Sequence, residues 1–139
     1  TVKDNRSGLT WLKADFAVVM GNYANSGLSW KNALYYANNA VLCNDGTLQG
    51  KYDVVGDCSN NGGVKYDDFR LPNIQEIMEV TKLGGSEILP WLGPYNYFYW
   101  SSTILDENNF WLAGGGDNVG LVGHIHKKNP ANVQLVRDP

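Results

Sequence analysis

Short alternations of apolar and polar residues fill most of this chain, and in two places the spacing changes to that of a helix. The first place is Trp30, Ala33, Leu34, Ala37 and Val41, with Lys31 and Asn32 on the opposite face and Ser29 placed to act as N-cap. The second runs through Ile74, Ile77, Met78 and Thr81 and ends at Gly84-Gly85. Its start is strongly specified. Asn73 is a good N-cap, Glu76 three positions on can reach back to the Asn73 amide, and Pro72 just outside blocks extension upstream.

The remaining elements are predicted as strands and turns. Thr1 to Asn5 and Leu9 to Lys13 predict a hairpin around Arg6-Ser7-Gly8, where glycine supplies the backbone freedom of the turn. Tyr97 to Ser102 and Asn109 to Ala113 are aromatic-rich strands joined by Asp106-Glu107-Asn108. Gly114 to Asn118 is a turn, and Val119 to Ile125 and Val133 to Arg137 are further strands, interrupted by Lys127-Lys128-Asn129-Pro130. Leu42 to Lys65, with Asn60-Asn61-Gly62-Gly63, reads as a loop decorating the core, and Gly85 to Pro94 as irregular. Two helices with antiparallel hairpins at both ends predict an α+β domain, its helices packed on short, mostly antiparallel strands with long loops. A doubly wound parallel fold would need more alternation of strand and helix.

Composition narrows the picture. A chain of 139 residues fits one domain, 1–139, burying roughly two-thirds of its unfolded surface. A net charge of −3 and a pI near 5.2 argue against general nucleic-acid binding, which needs a field of Lys and Arg. No apolar run approaches the ~20 residues of a helical membrane span. Thr1 opens directly in strand-like sequence without a basic-then-apolar leader, so a soluble, mature or excised piece is expected.

Cys43 and Cys58 are the two cysteines, and no CxxC or Cys/His metal spacing accompanies them. A disulfide between them would contribute about 3 kcal/mol by restricting the unfolded chain, and would imply an oxidising, exported location. The other reading is a pair of buried or free thiols in a cytosolic protein.

Five segments carry a resemblance: Thr1-Val2-Lys3-Asp4-Asn5-Arg6-Ser7-Gly8-Leu9-Thr10-Trp11, Trp30-Lys31-Asn32-Ala33-Leu34, Phe69-Arg70-Leu71-Pro72-Asn73-Ile74-Gln75-Glu76, Tyr99-Trp100-Ser101-Ser102-Thr103 and Val136-Arg137. In this order they resemble the bacterial family of the C-terminal domain of the Legionella collagen-like protein, Lcl. Phe69 stands where that family usually has Trp, and Cys43 to Cys58 looks like a local elaboration. The resemblance implies a C-type lectin-like fold, similar to the formylglycine-generating enzyme, on secreted proteins or the bacterial outer surface. It also implies a non-enzymatic adhesin that binds sulfated glycosaminoglycans and trimerises at the end of a collagen-like stalk. No Gly-X-Y stretch occurs in these residues, so the homotrimer rests on the resemblance. Two other roles compete: a structural trimerisation module without its own ligand, and a protein-binding C-type lectin-like scaffold.

Candidate chemistry concentrates near the C-terminal strands. His124, His126, Lys127 and Lys128 form the densest basic cluster, and in an alternating strand the two histidines share a face. Sulfates need cationic donors of this kind, and a trimer would concentrate them; the competing reading is a solvated strand end. Lys51 and Lys65 flank the cysteine stretch and would extend the patch if that stretch folds over it. Arg70 and Arg137 are read as structural forks, and the tryptophans and the alternating Tyr95, Tyr97 and Tyr99 as mostly core. Asp106 to Asn109 is rich in oxygen and is either a Ca²⁺ loop or a polar hairpin tip, but the EF-hand pattern is absent, so no metal ligand is assigned and no cofactor is expected. No nucleophile elbow, triad order or His/Glu metal spacing points to catalysis.

Overall fold

The computed structural model describes residues 1–12, 27–49, 58–82, 98–114 and 121–139. Gly84-Gly85, the 85–94 stretch, Trp91, Tyr95, Tyr97, Lys51 and the 115–118 turn lie outside the described residues.

The first hairpin is made by Asp4. Its carboxylate accepts the Arg6 amide at 3.0 Å and the Ser7 hydroxyl at 2.6 Å, while Gly8 takes φ +78°. The flanking strands β1 (Val2–Lys3) and β2 (Thr10–Trp11) pair antiparallel with Val2 opposite Trp11. The last strand, here β9 (Val136–Arg137), joins the other edge of β2.

Helix α1 (Trp30–Asn39) and helix α2 (Ile74–Lys82) follow the two apolar stripes. At α2 the predicted reciprocal cap is complete. The Glu76 amide donates to Asn73 Oδ1 at 2.9 Å, and the Asn73 amide donates to Glu76 Oε2 at 2.8 Å. At α1 the position is right and the mechanism is not: Ser29 is the N-cap residue, but its side chain makes no cap bond. Val41 does not extend this helix either. Ala40 is already extended, and Val41 opens a strand.

The Leu42 to Lys65 stretch is a correction. It holds a second sheet of β3 (Val41–Cys43), β4 (Leu48–Gln49) and β5 (Val64–Tyr66), with β3 central and both pairings antiparallel. Strands of two or three residues are too short to display a period of two, so their identity comes from pairing. A polar network clamps the turns: Asn61 Nδ2 donates to Asp45 Oδ2 at 2.8 Å, Gln49 Nε2 to Asn61 Oδ1 at 3.0 Å, and Asn44 Nδ2 to the Gly62 carbonyl at 2.7 Å.

The third sheet is β6 (Phe98–Ile104), β7 (Asn109–Gly114) and β8 (Val122–His126), antiparallel in that order. On one face Trp100, Phe110 and Leu112 join Ala33 and Ala37 of α1 in the main core. On the other, Tyr99 and Ala113 pack with Ile77 and Val80 of α2 and with Trp11. The described residues thus form an α+β fold of two helices and three small antiparallel sheets.

What joins these parts is the segment Ala131–Val136, every residue of which is buried. An extended backbone so enclosed must spend its polar groups on other segments. Ala131 exchanges both bonds with Leu28, Asn132 accepts from the Trp100 amide and donates to the Phe98 carbonyl, Leu135 accepts from Leu12, and Val136 exchanges both with Arg70. Four distant stretches therefore hang on one strand. The contact at Leu28 leaves no room nearby: Gly27 has φ +57°, and a Cβ there would lie 2.5 Å from the Ala131 carbonyl oxygen.

Candidate functional site

Strand β8 lies at the edge of its sheet, and pairing with β7 sets Asn109 opposite His126, Trp111 opposite His124 and Ala113 opposite Val122. Cross-strand partners share a face. Phe110, Leu112 and Ile125 point the other way, into or against the main core, so Val122, His124 and His126 are turned outward and are exposed. The two histidines thus stand together on one open face.

Trp111 is half-buried, and its ring meets the His124 imidazole edge-on, with centroids 5.5 Å apart and planes at 82°. Past β8 the chain turns, the Asn129 amide donating to the His126 carbonyl at 2.9 Å and the Lys128 amide to His126 Nδ1 at 3.2 Å. That second bond uses the Nδ1 lone pair as acceptor. Lys128 is exposed.

Lys127 is placed differently. It is half-buried, its Nζ donates to the Glu107 carbonyl at 3.0 Å, its amide to the Asn108 carbonyl at 2.7 Å, and its own carbonyl accepts from the Trp30 amide at 3.0 Å. Sequence reasoning weighed Lys127 and Lys128 alike, whereas this lysine staples the β6–β7 tip to the start of α1.

That tip is organised by Asp106. Its Oδ1 accepts the Asn108 amide at 2.8 Å and the Asn109 amide at 2.9 Å, and the Asn109 side chain donates to both oxygens at 3.0 Å. The Asn108 amide, then the Asn109 side chain, hold the Asp106 carboxyl below the ordinary carboxylate range, with a smaller pull from His124. Both oxygens are engaged within the turn. Among the described residues no group of three or more His, Cys, Asp or Glu is arranged to hold a metal ion.

Lys65 lies on β5 in the second sheet, exposed, with Nζ 5.7 Å from the centre of the Tyr66 ring. Lys51 lies outside the described residues. Cys43 and Cys58 are joined as a disulfide with Cα atoms 5.4 Å apart, packed with Val41 beneath the second sheet.

The two arginines are tied into the frame. Arg137 forks onto Asp68, both N–O distances 2.7 Å, with its guanidinium 4.2 Å above the Tyr66 ring centre. Hydrogen bonding to Arg137 holds the Asp68 carboxyl below its usual value. Arg70 reaches Glu76, Asp138 and the Leu71 carbonyl.

Among the described residues no helix is long and apolar enough to cross a membrane. A family model described as the Lcl C-terminal domain matches residues 1–137. No curated protein matches the chain.

Proposed function

The chain belongs to the Lcl C-terminal domain family, and on that premise we propose that it is a non-enzymatic adhesin domain that holds sulfated polysaccharide against the outer face of β7 and β8. The observation that carries this reading is the placement of His124, His126 and Lys128 together at the open end of an edge strand, exposed and without an ion-pair partner among the described residues. Sulfate groups are recognised by such donors, and the attraction survives only near the surface because salt screens it over about 8 Å at physiological strength.

One copy offers a small patch, so the domain acts as a homotrimer on a collagen-like stalk, where repeated sites multiply a weak contact. The Cys43–Cys58 disulfide is in keeping with work outside the cell, on a secreted or surface-borne protein. A second reading, a trimerisation module without its own ligand, draws on Leu121 and Val122, apolar residues 54% and 37% exposed at the start of β8.

Binding to immobilised heparin across a salt series tests the proposal. Affinity is expected to fall steadily with added salt, and His124→Ala combined with Lys128→Ala is expected to weaken it further. Absent or salt-insensitive binding by the oligomeric protein would overturn the reading, and a trimer that binds no sulfated polymer would leave the module role.

A further inference from the structure

We infer that Trp111 is a stacking platform for a pyranose ring, so that the β7–β8 face recognises the sugar itself as well as its sulfates; this rests on the glycan reading above.

Four tryptophans are described, and three are spoken for. Trp11 and Trp100 are fully enclosed in the two larger cores, and the Trp100 Nε1 donates to the Leu28 carbonyl at 2.6 Å. Trp30 is half-buried, but its ring stacks on Phe110 with centroids 3.7 Å apart and its Nε1 donates to the Ser101 carbonyl at 2.9 Å. Trp111 differs in its indole nitrogen and in its ring contact. It is partly exposed, its Nε1 donates to no other described residue and is not among the buried unpaired atoms, and its ring contact is the imidazole of His124. An indole left this way offers an apolar plane and a free donor together.

Its surroundings name the ligand. A pyranose ring has a face of C–H bonds that lies flat on an aromatic plane and a rim of oxygens that needs hydrogen bonds. Trp111 and His124 are perpendicular neighbours, an aromatic ring beside one that bears ring nitrogens, with centroids 5.5 Å apart. His126 belongs to the next cross-strand pair along the same face and is exposed, its Nδ1 accepting the Lys128 amide. Lys128 follows at the turn. An uncharged sugar would not use the Lys128 ammonium, and a ringless polyanion would not use the indole. A sulfated pyranose uses both. Asp106 and Glu107 at the β6–β7 tip bound the patch with negative charge and confine an anionic chain to the β8 side.

The test separates stacking from charge. Wild type, Trp111→Leu, Trp111→Phe and Lys128→Ala are titrated with heparin and with poly(vinyl sulfate), a polyanion without rings, across a salt series. Ion-pair contacts set the salt slope, while stacking changes affinity with little effect on that slope. Trp111→Leu is expected to weaken heparin binding about tenfold with the slope unchanged and to leave poly(vinyl sulfate) binding as it was, and Trp111→Phe to retain most of the heparin affinity. Lys128→Ala should lower the slope for both polymers. Folded Trp111→Leu that binds heparin like wild type, or that loses both polymers equally, overturns the platform while leaving the charged site standing. Wild type that binds neither polymer sinks the glycan reading and the platform with it. If Trp111→Leu does not fold, the wild-type indole N–H resonance, assigned by its absence in Trp111→Phe, decides: a shift with heparin oligosaccharide and none with poly(vinyl sulfate) supports the platform, and no shift with either overturns it.

Discussion

Arg70 and Glu76 meet fork to fork, with both guanidinium–carboxylate distances at 2.9 Å. The same Arg70 donates to Asp138 through Nε at 3.3 Å and a terminal nitrogen at 2.7 Å, and to the Leu71 carbonyl at 3.2 Å. All five of its N–H donors are therefore used. It couples the start of α2 to Asp138, just past the end of β9, and replacing it leaves Glu76 half-buried without its cation. Arg70→Met is expected to cost roughly 2 kcal/mol, a figure kept low because the arginine side chain is 33% exposed. Arg70→Lys should recover less than half, since an ammonium cannot make the double fork. Chemical denaturation of the three proteins measures both numbers.

Acid should expose the same network. Burial pushes the Glu76 carboxyl up, but the Arg70 guanidinium and the Asn73 amide outweigh it and leave the group below its ordinary 4.5. Arg70 lowers Asp138, Arg137 lowers Asp68, and the Ser7 hydroxyl lowers Asp4, each from 3.8. A carboxyl with a depressed folded value stabilises the fold fully above its unfolded value and loses that contribution as pH falls through the folded one. Stability is thus expected to be flat above about pH 5 and to fall progressively below pH 4. Arg70→Met should flatten the acid limb, and a limb of unchanged steepness would count against the assignment.

Gly27→Ala sets a sterically prohibited Cβ against the Ala131 carbonyl at a positive φ. The expected loss is about 3 kcal/mol, from backbone strain together with the displaced 131–136 segment. Thermal unfolding reads it directly, and a variant as stable as wild type would show that the Leu28–Ala131 bridge yields easily.

Reducing the Cys43–Cys58 bond, or replacing both residues by alanine, releases a loop with a sequence separation of 15. The expected cost is about 3 kcal/mol. Calorimetry with and without reductant gives the value, and heparin binding at a temperature where both forms are folded should not change, because the bond lies in the second sheet.

The neighbouring lysines should separate. Lys127→Ala removes the bond to the Glu107 carbonyl and is expected to cost about 1 kcal/mol. Lys128 is exposed, and its side chain bonds to no other described residue, so Lys128→Ala should be thermally neutral while weakening heparin binding. Equal effects of the two on melting temperature would contradict the assigned roles.

How much of this was legible depends on the range of the interaction that specifies each part. The cap at Asn73 and Glu76 spans three residues, and the turn at Asp4 to Gly8 four, so both can be predicted from neighbours alone. The shared face of His124 and His126 follows in the same way from the geometry of a strand. The β3–β5 sheet escaped because each strand is too short for a pattern and is defined by partners across a disulfide-closed loop. Trp111 escaped for another reason. Alternation assigns a residue to one of two faces, but whether that face is covered depends on how far α2 reaches across the sheet.

The sequence by itself determined the two helices, the capped start of α2, the first hairpin, the α+β class and the basic character of the β8 end, because these depend on contacts within a few residues. Only the tertiary structure decided that Lys127 is a staple and Lys128 is exposed, that Trp111 is partly exposed beside His124, and that Arg70 reaches a carboxylate 68 residues away. Those outcomes depend on which surfaces are brought together when Ala131–Val136 is enclosed, and burial of a strand is a property of its neighbours rather than of its own side chains.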